Sequence, residues 1–348
     1  MQNALVLTNG LFNTIDAKTA HGLVRGTTRF IIKGIIDCAE SAGLDAGELL
    51  DGNHRNIPIF ANLQNALQHI PQIDYLIVGV ATVGGYFPAN MIEIIKEAIK
   101  LNISIVNGLH DHLTEMPEMV DLANKNNVQL IDIRKPKKRS DLHFWKGDIF
   151  KVTAPIVAVL GTDCVMGKRT TTQALKNMCN ENNLQAAMIY TGQTGWLQGE
   201  KYGFIFDSTL NDFVSGELEN AIYSCWTETN PQIIFLEGQS ALRNPSGPCG
   251  LELLISGNAT HVVLIFSPKR TYYDNEEAWG KIPSVESEIE LIEKIGSKVI
   301  AVALHTAGCT LEEKMYLKTY YQDVLKIPVL LPIENGVQEL LPVLQNLK

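Results

Sequence analysis

The sequence predicts an α/β protein of two domains, each built on a mainly parallel sheet. The first observation is the length, since 348 residues are about twice the size of a typical domain. The second is the composition: 45% of the residues are hydrophobic and 19% are charged, which allows a large core and excludes a disordered chain. The third is the alternation of short apolar runs with longer helical patterns, typical of strands that are connected by helices.

The first half of the chain contains five apolar runs that we predict to be strands, together with one clear helix. The run at 75–80 (YLIVGV) is continuously apolar and leads into turn glycines, as expected of a buried strand. The helix is predicted over 89–101, where Met91, Ile94, Ile95 and Ala98 recur at helical spacing. The five predicted strands are residues 3–8, 30–36, 75–80, 103–106 and 128–133.

A basic run, RKPKKR at 134–139, separates the two halves. We interpret it as a solvated connector, and a phosphate-facing patch is the alternative. Because the alternation of strands and helices resumes at Lys151, we place the boundary near residue 150, with domains 1–150 and 151–348. The strands predicted in the second domain are residues 156–160, 186–190, 233–236, 261–266, 298–304 and 329–330.

Charge, cysteine content and hydropathy argue against several classes of protein. The net charge of −9 and the pI of about 5.4 are unlike those of a general nucleic-acid binder, which needs a basic face. The six cysteines form no CxxC pair, so we expect separate reduced thiols and a cytoplasmic location. No apolar stretch approaches the roughly 20 residues of a membrane-spanning helix, and we expect no membrane partner.

Residues 156–172 (IVAVLGTDCVMGKRTTT) carry the strongest chemical signal of the sequence. An apolar strand that runs into a glycine loop, then Gly-Lys, then a helix is the context of a phosphate-binding P-loop. Backbone N–H groups of the loop and the helix N-terminus form a cradle for an anion, and Lys168 can reach an outer phosphate. The predicted ligand-binding residues of this segment are Gly161, Thr162, Asp163, Cys164, Gly167, Lys168, Arg169, Thr170 and Thr171.

The loop departs from the usual GxxxxGK[ST] pattern at two positions. Thr162 stands at the first glycine, and Arg169 stands where a hydroxyl that binds magnesium is expected. These differences weaken the case for a metal held by that hydroxyl but leave the backbone cradle intact. An ordinary strand-to-helix turn is the alternative.

The run GTDxxxGK resembles the loop of dethiobiotin synthetase and its relatives, in which an apolar strand ending in Glu-Gly lies elsewhere in the chain. Glu237-Gly238 supplies that strand end here, and a carboxylate beside a P-loop is placed to hold Mg²⁺. The resemblance implies Glu237 and Asp212 as metal ligands. The alternatives are that Glu237 caps a turn and that Asp212 caps a helix.

Four further residues are candidates because they follow predicted strands. Gln193 lies in TGQTG, where a strand end can reach a substrate. Lys269 and Arg270 could bind a carboxylate or phosphate, or could be solvated surface cations. His305 has the intrinsic pKa that suits proton transfer.

A second resemblance covers nearly the whole chain. Its marks are KTAHGLVR at 18–25, VNGLH at 106–110, the GTDCxxGKxTT loop, TGQTG at 191–195 and EGQS at 237–240. The chain resembles a family of proteins with a Rossmann-like N-terminal half and a P-loop NTPase-like C-terminal half. One member of that family is described as a D-glutamate N-acetyltransferase. The resemblance implies acetyl transfer from acetyl-CoA to the amine of a D-amino acid.

Three functions therefore compete. The first is the N-acetyltransferase, with Lys168, Glu237 and His305 as candidate catalytic residues. The second is a ligase of the dethiobiotin synthetase type that uses ATP and Mg²⁺, in which Lys168 would stabilise a transferring phosphate. The third is a regulatory protein that binds a nucleotide. In each case we expect a small-molecule partner, an amino acid or a carboxylate, and a homo-oligomer.

Overall fold

Two six-stranded sheets, both entirely parallel, organise the chain, of which the computed structural model describes residues 1–347. The first compact unit consists of Met1–Pro136 and Gln193–Gly199, and the second of Lys137–Gly192 and the described chain from Glu200 onward. Lys348, the last residue of the predicted second domain, lies outside the described residues. The predicted α/β class with two parallel sheets is confirmed.

In the first unit the strand order is β3-β2-β1-β4-β5-β6, as in Rossmann-like folds. The strands are β1 (Gln2–Leu7), β2 (Phe30–Ile36), β3 (Ile59–Phe60), β4 (Tyr75–Val78), β5 (Ser104–Asn107) and β6 (Leu130–Asp132). The helices that precede the second unit are α1 (Lys18–Arg25), α2 (Ala46–Asp51), α3 (Leu63–His69), α4 (Ala89–Lys100) and α5 (Pro117–Asn126).

The alternation of side chains along β1 explains why both faces of this sheet are covered. Leu5 and Leu7 pack into the apolar cluster on one face, and Ala4 and Val6 pack into the cluster on the other. A parallel sheet buried on both faces reads as a continuous apolar run, which is why its strands are visible in the sequence. The two-residue strand β3 is absent from the prediction because it is too short to show periodicity.

In the second unit the strand order is β12-β11-β10-β7-β9-β8. The strands are β7 (Ile156–Gly161), β8 (Ala186–Ile189), β9 (Ile233–Glu237), β10 (His261–Phe266), β11 (Lys298–Leu304) and β12 (Val329–Leu330). The remaining helices are α6 (Lys168–Glu181), α7 (Gln193–Gln198), α8 (Asn211–Thr229), α9 (Leu251–Ile255), α10 (Val285–Ile295), α11 (Leu311–Leu325) and α12 (Leu341–Gln345), of which α7 belongs to the first unit.

Two segments lie in a different unit from the one predicted by the boundary at residue 150. Residues 137–150 pack on α8, where Glu217 accepts hydrogen bonds from Lys137 Nζ and from the backbone N–H of His143. Glu219 likewise accepts from the N–H groups of Lys146 and Ile149. The other segment is α7, whose Leu197 is fully buried in an apolar cluster of the first unit. Side-chain bonds of this kind leave no periodic signal in the sequence.

The strand order of the second unit positions its functional residues. Strand β7 lies between β9 and β10, and β11 lies beyond β10. Because all strands are parallel, the residues that follow them emerge at one carboxyl edge. The P-loop, Glu237 and His305 therefore share this edge. Within residues 1–347, no helix combines the length and the apolar character needed to cross a bilayer.

Candidate phosphate-binding site

The loop between β7 and α6 has the backbone geometry of an anion cradle. Val165 and Gly167 have positive φ angles of 48° and 86°, which turn successive N–H groups toward one side. Helix α6 begins at Lys168, and Thr171 N donates to Gly167 O at 2.9 Å to close its first turn. A β-branched residue in the left-handed region is strained, and such strain concentrates at functional sites. The loop therefore suits a phosphate.

Lys168 lies folded into the loop. Its side chain is 7% exposed, and Nζ donates to Asp163 O at 2.7 Å. The aliphatic stem passes beside two glycines: a Cβ on Gly161 would lie 3.3 Å from it, and a Cβ on Gly238 would lie 3.0 Å from it. Burial lowers the pKa of the Lys168 amine, despite nearby groups that raise it. An incoming phosphate would offer this amine a stronger partner than a carbonyl oxygen.

Asp163 connects the loop to two neighbouring segments. Its carboxylate is fully buried and accepts from Arg270 Nη1 at 2.8 Å, Asn244 Nδ2 at 2.9 Å and Asp274 N at 2.8 Å. Arg270 also donates to Cys164 O at 2.7 Å. Asp163 and Arg270, which the sequence motifs predicted as ligand-binding residues, thus support the loop. Asn244 and Asp274 are not among the sequence candidates, because they lie in loops far away in sequence.

Met166 and the threonines complete the base of the site. Met166 is 2% exposed within an apolar cluster, and its sulfur accepts from Thr162 Oγ1 at 3.6 Å. Thr172 Oγ1 donates to Lys168 O at 2.8 Å, which stabilises the first turn of α6. Thr170, one position after Arg169, is only half-buried. These contacts anchor the loop to the core beneath it.

Glu237 ends β9 next to the P-loop strand and is 5% exposed. One carboxylate oxygen accepts from Thr191 N at 3.0 Å. Burial raises the pKa of Glu237 to about 7, although the charges of Arg169 and Lys168 and the bond from Thr191 oppose the rise. A carboxyl group that titrates near neutral pH beside a phosphate loop is typical of a functional site.

A divalent metal fits these residues poorly. Arg169 lies close enough to Glu237 to lower its pKa, so a cation already faces this carboxylate. Asp212 is exposed in the first turn of α8, where its side chain forms no cap. Asp163, Cys164 and Asp274 bring three potential ligand atoms within 4.8 Å of one another. Arg270 already pairs with Asp163, and a thiol is a poor ligand for Mg²⁺.

His305 follows β11 at the same carboxyl edge, and its backbone N–H donates to Phe266 O at 2.8 Å. Burial lowers the pKa of the imidazole, as do the charges of Arg270 and Lys168, whereas Glu334 raises it. His305, Arg270 and Lys168 are thus electrostatic neighbours. Glu334, in the turn after β12, is another neighbour that no sequence motif indicated.

Two other candidates are engaged in contacts away from the P-loop residues. Lys269 forms an exposed ion pair with Glu313 at 2.6 Å. Gln193 begins α7 in the first unit, where Nε2 donates to Thr19 Oγ1 at 3.0 Å. Its Oε1 atom would lie 2.0 Å from a Cβ at position 108, so a larger residue there would displace the end of this side chain.

Comparison with known proteins agrees with the two-unit fold. Residues 143–341 match a family model described as a domain of unknown function (DUF1611_C), P-loop domain. Residues 39–136 match one described as a domain of unknown function (DUF1611_N), Rossmann-like domain. The chain belongs to the DUF1611 family. The resemblance to a family with a Rossmann-like N-terminal half and a P-loop C-terminal half is therefore confirmed, as are the Rossmann-like and P-loop assignments.

Two curated relatives and one solved structure are similar to this DUF1611 protein. A D-glutamate N-acetyltransferase from Pseudoalteromonas sp is 30% identical over 271 residues, covering 76% of this chain and 79% of the relative. A D-glutamate N-acetyltransferase from Tritonibacter scottomollicae is 24% identical over 277 residues, covering 77% and 80%. The crystal structure of a DUF1611 family protein from Anabaena variabilis superposes with a TM-score of 0.90, at 25% identity and full coverage of both chains.

Proposed function

We propose that this DUF1611 protein is an N-acetyltransferase that transfers the acetyl group of acetyl-CoA to the amine of D-glutamate or a related D-amino acid. The observation that carries the proposal is that two relatives with this name align with about three quarters of the chain. The P-loop contributes a site for phosphate, and coenzyme A is a phosphorylated carrier. Acetyl-CoA would supply the reactive thioester.

The P-loop residues would hold the phosphates of the coenzyme. The N–H groups of the cradle would donate to phosphate oxygens, and Lys168 would exchange its bond to Asp163 O for a charge-assisted bond. Arg169 replaces the hydroxyl that holds Mg²⁺ in a usual P-loop and adds a second cation. Two cations in the first turn of α6 would neutralise phosphate without a metal, which favours a phosphorylated carrier over phosphoryl transfer.

Acetyl transfer requires that the amine lose its proton before it attacks the thioester. Glu237 and His305 are the candidates for this step at neutral pH. The pKa of Glu237 is raised to about 7, mainly by burial, and burial keeps the His305 imidazole neutral by lowering its pKa. Both lie at the carboxyl edge that carries the loop. Donors at that edge would stabilise the oxyanion that develops on the carbonyl.

The test is to incubate the pure protein with D-glutamate and either acetyl-CoA or ATP with Mg²⁺, and to follow thiol and phosphate release. We expect thiol release that requires both acetyl-CoA and the D-amino acid and persists in EDTA. L-glutamate serves as the stereochemical control, and mass spectrometry identifies the N-acetyl product.

Phosphate release from ATP without thiol release would overturn the proposal and indicate an ATP-dependent ligase. Tight nucleotide binding without either product would indicate a regulatory protein. Thiol release that does not depend on the amino acid would show a thioesterase rather than a transferase.

A further inference from the structure

Two buried polar atoms at the carboxyl edge of the second unit have no hydrogen-bond partner among residues 1–347. They are His305 Nδ1, after β11, and Glu334 Oε2, after β12. A buried polar atom without a partner costs stability, and native proteins contain few of them. Because β11 and β12 are adjacent strands, both atoms emerge at neighbouring positions of the same edge. This pair points to a ligand.

The carboxylate of Glu334 is bonded within the protein through Oε1 only, and its Oε2 atom is left for a ligand. Oε1 accepts from Thr306 Oγ1 at 2.6 Å and from Lys314 Nζ at 2.7 Å, so the orientation of the carboxylate is determined. Burial raises the pKa of Glu334, but these two bonds outweigh it, and the net pKa is lowered. The group therefore stays ionised at neutral pH. An oriented carboxylate with an unused oxygen suits a cationic donor such as an ammonium group.

His305 faces charges of both signs. Arg270 and Lys168 are the neighbouring cations, and Glu334 is the neighbouring anion. Arg270 connects this region to the P-loop directly, because its Nη1 donates to Asp163 and to Cys164 O. Thr306 Oγ1 donates to Glu334, and His305 N donates to Phe266 O, four residues before Arg270. The imidazole therefore lies in the same region as the carboxylate and the guanidinium, next to the phosphate cradle.

We propose that Glu334, His305 and Arg270 form the subsite for the amino-acid substrate. An α-amino acid carries an ammonium and a carboxylate on one carbon, so it matches a site with one anion and one cation. Glu334 Oε2 accepts from the ammonium, and the guanidinium of Arg270 attracts the α-carboxylate. His305 Nδ1 accepts the proton that leaves the nitrogen. This assignment rests on the proposed acetyl transfer.

The chemistry balances with these groups. The ammonium gives one proton to His305 Nδ1, and the freed lone pair forms the C–N bond to the acetyl carbon. The C–S bond breaks, and its electron pair stays on the coenzyme thiolate. The nitrogen gives up a second proton, which neutralises the thiolate, and His305 returns the first proton to solvent.

The experiment compares Glu334→Gln and His305→Gln with the wild-type protein in steady-state kinetics. Glu334→Gln should raise KM for D-glutamate about tenfold or more, because the ammonium loses its charged partner. It should leave KM for acetyl-CoA unchanged, because the P-loop keeps its residues. His305→Gln should lower kcat about hundredfold and remove the acidic limb of its pH profile. The matched control is Glu339→Gln, which removes another ion pair of α11, that with Lys318, away from the subsite.

Several outcomes would overturn the subsite without touching the proposed function. If the wild-type protein is active and both variants keep its kcat and KM, these residues do not form the amino-acid subsite. If Glu334→Gln and Glu339→Gln lose activity to the same extent, the ion pairs of α11 have a structural role instead. If Glu334→Gln does not fold, Glu334→Asp is used instead. Aspartate keeps the charge, but its side chain is one methylene shorter, so its oxygen no longer reaches the ammonium.

If the wild-type protein releases no thiol, the proposed function fails by itself. Calorimetric titration with D-glutamate then tests the subsite as a binding site. Binding by the wild-type protein that Glu334→Gln abolishes supports it, and equal or undetectable binding by both proteins rejects it.

Discussion

The carboxyl edges of the two sheets differ in how their polar groups are used. In the first unit, Asp37 follows β2 and accepts from Thr8 Oγ1, the N–H groups of Gly10 and Phe12, and Ser41 Oγ at 2.6–3.1 Å. Both of its oxygens are therefore engaged within the protein. This position after β2 is where dinucleotide-binding folds place a ribose-binding acid. Here that acid holds the loop after β1 instead.

Asp132 is used in the same way. It accepts from Asn107 Nδ2 at 2.7 Å and from the N–H groups of Leu113 and Thr114 at 3.1 and 2.8 Å. The edge of the second unit differs. Lys168 is bonded to a carbonyl that a ligand would displace, and His305 and Glu334 each have a buried atom with no hydrogen-bond partner among residues 1–347.

The same architecture can therefore use its polar groups to stabilise loops or leave them available to a ligand. Architecture alone thus does not place the site, whereas the hydrogen bonds do. The contrast is one of degree, because Gln193 Oε1 in the first unit is also buried with no hydrogen-bond partner in the described part of the chain. Three substitutions test whether the two edges behave as differently as their contacts indicate.

The largest effect is expected for Lys168→Ala, which removes the cation of the cradle. We expect acetyl-CoA-dependent thiol release to fall about hundredfold or more, the cost of losing one preorganised charged donor. The melting temperature should not fall, because the amine is buried and its pKa is lowered. Lys176→Ala, two turns along α6 and paired with Glu200, is the control. Full activity of Lys168→Ala would remove the basis for calling this edge functional.

Asp37→Ala should affect stability rather than chemistry. It removes the common acceptor of four hydrogen bonds, although the hydroxyls of Thr8 and Ser41 keep Ile36 O and Cys38 O as second acceptors. We expect a loss of about 4 kcal/mol in the unfolding free energy of the first unit. Urea unfolding and faster hydrogen exchange at Gly10 and Phe12 would show it. The exposed Asp74, which accepts from Asn3 N, supplies the control Asp74→Ala, with an expected loss below about 1 kcal/mol. If Asp37→Ala lowers the unfolding free energy no more than Asp74→Ala does, the two edges do not differ in the way proposed.

A smaller effect, on the pH dependence of stability, is expected from Glu237. Its folded pKa of about 7 lies above the ordinary value of 4.5. The native state therefore binds more protons than the unfolded state between these values, and stability falls as pH rises through that window, by up to about 3 kcal/mol. Glu237→Gln should remove this part of the decline between pH 5 and pH 8. Thermal melts at several pH values measure it, and parallel curves for the two proteins would contradict the assignment.

The sequence predicted most of the sheet elements because buried parallel strands are continuous apolar runs. The strands at 30–36, 261–266, 298–304 and 329–330 agree with the structure at both ends. The helix predicted at 89–101 is α4, one residue shorter. The domain division was harder to locate, because α7 and the segment before Lys151 are held by side chains that come from distant parts of the chain.

The candidate site also combines residues that the sequence reveals with residues that it does not. The P-loop is visible in the sequence because its strand, loop, Gly-Lys pair and helix follow one another directly. Glu237 and His305 are visible because each directly follows an apolar strand. Asn244, Asp274 and Glu334 lie in irregular loops, where no hydrophobic periodicity in the sequence distinguishes them from solvated residues.

By itself, the sequence determined the α/β class, the two sheets and the phosphate loop, because apolar periodicity and a contiguous motif are properties of neighbouring residues. Only the tertiary structure decided which polar groups are engaged and which are not. It showed that Asp163 supports the loop, that Lys269 is an exposed ion-pair partner, and that Glu334 offers an oxygen beside His305. The reason is physical: hydrogen-bond satisfaction and desolvation depend on partners that only folding brings together.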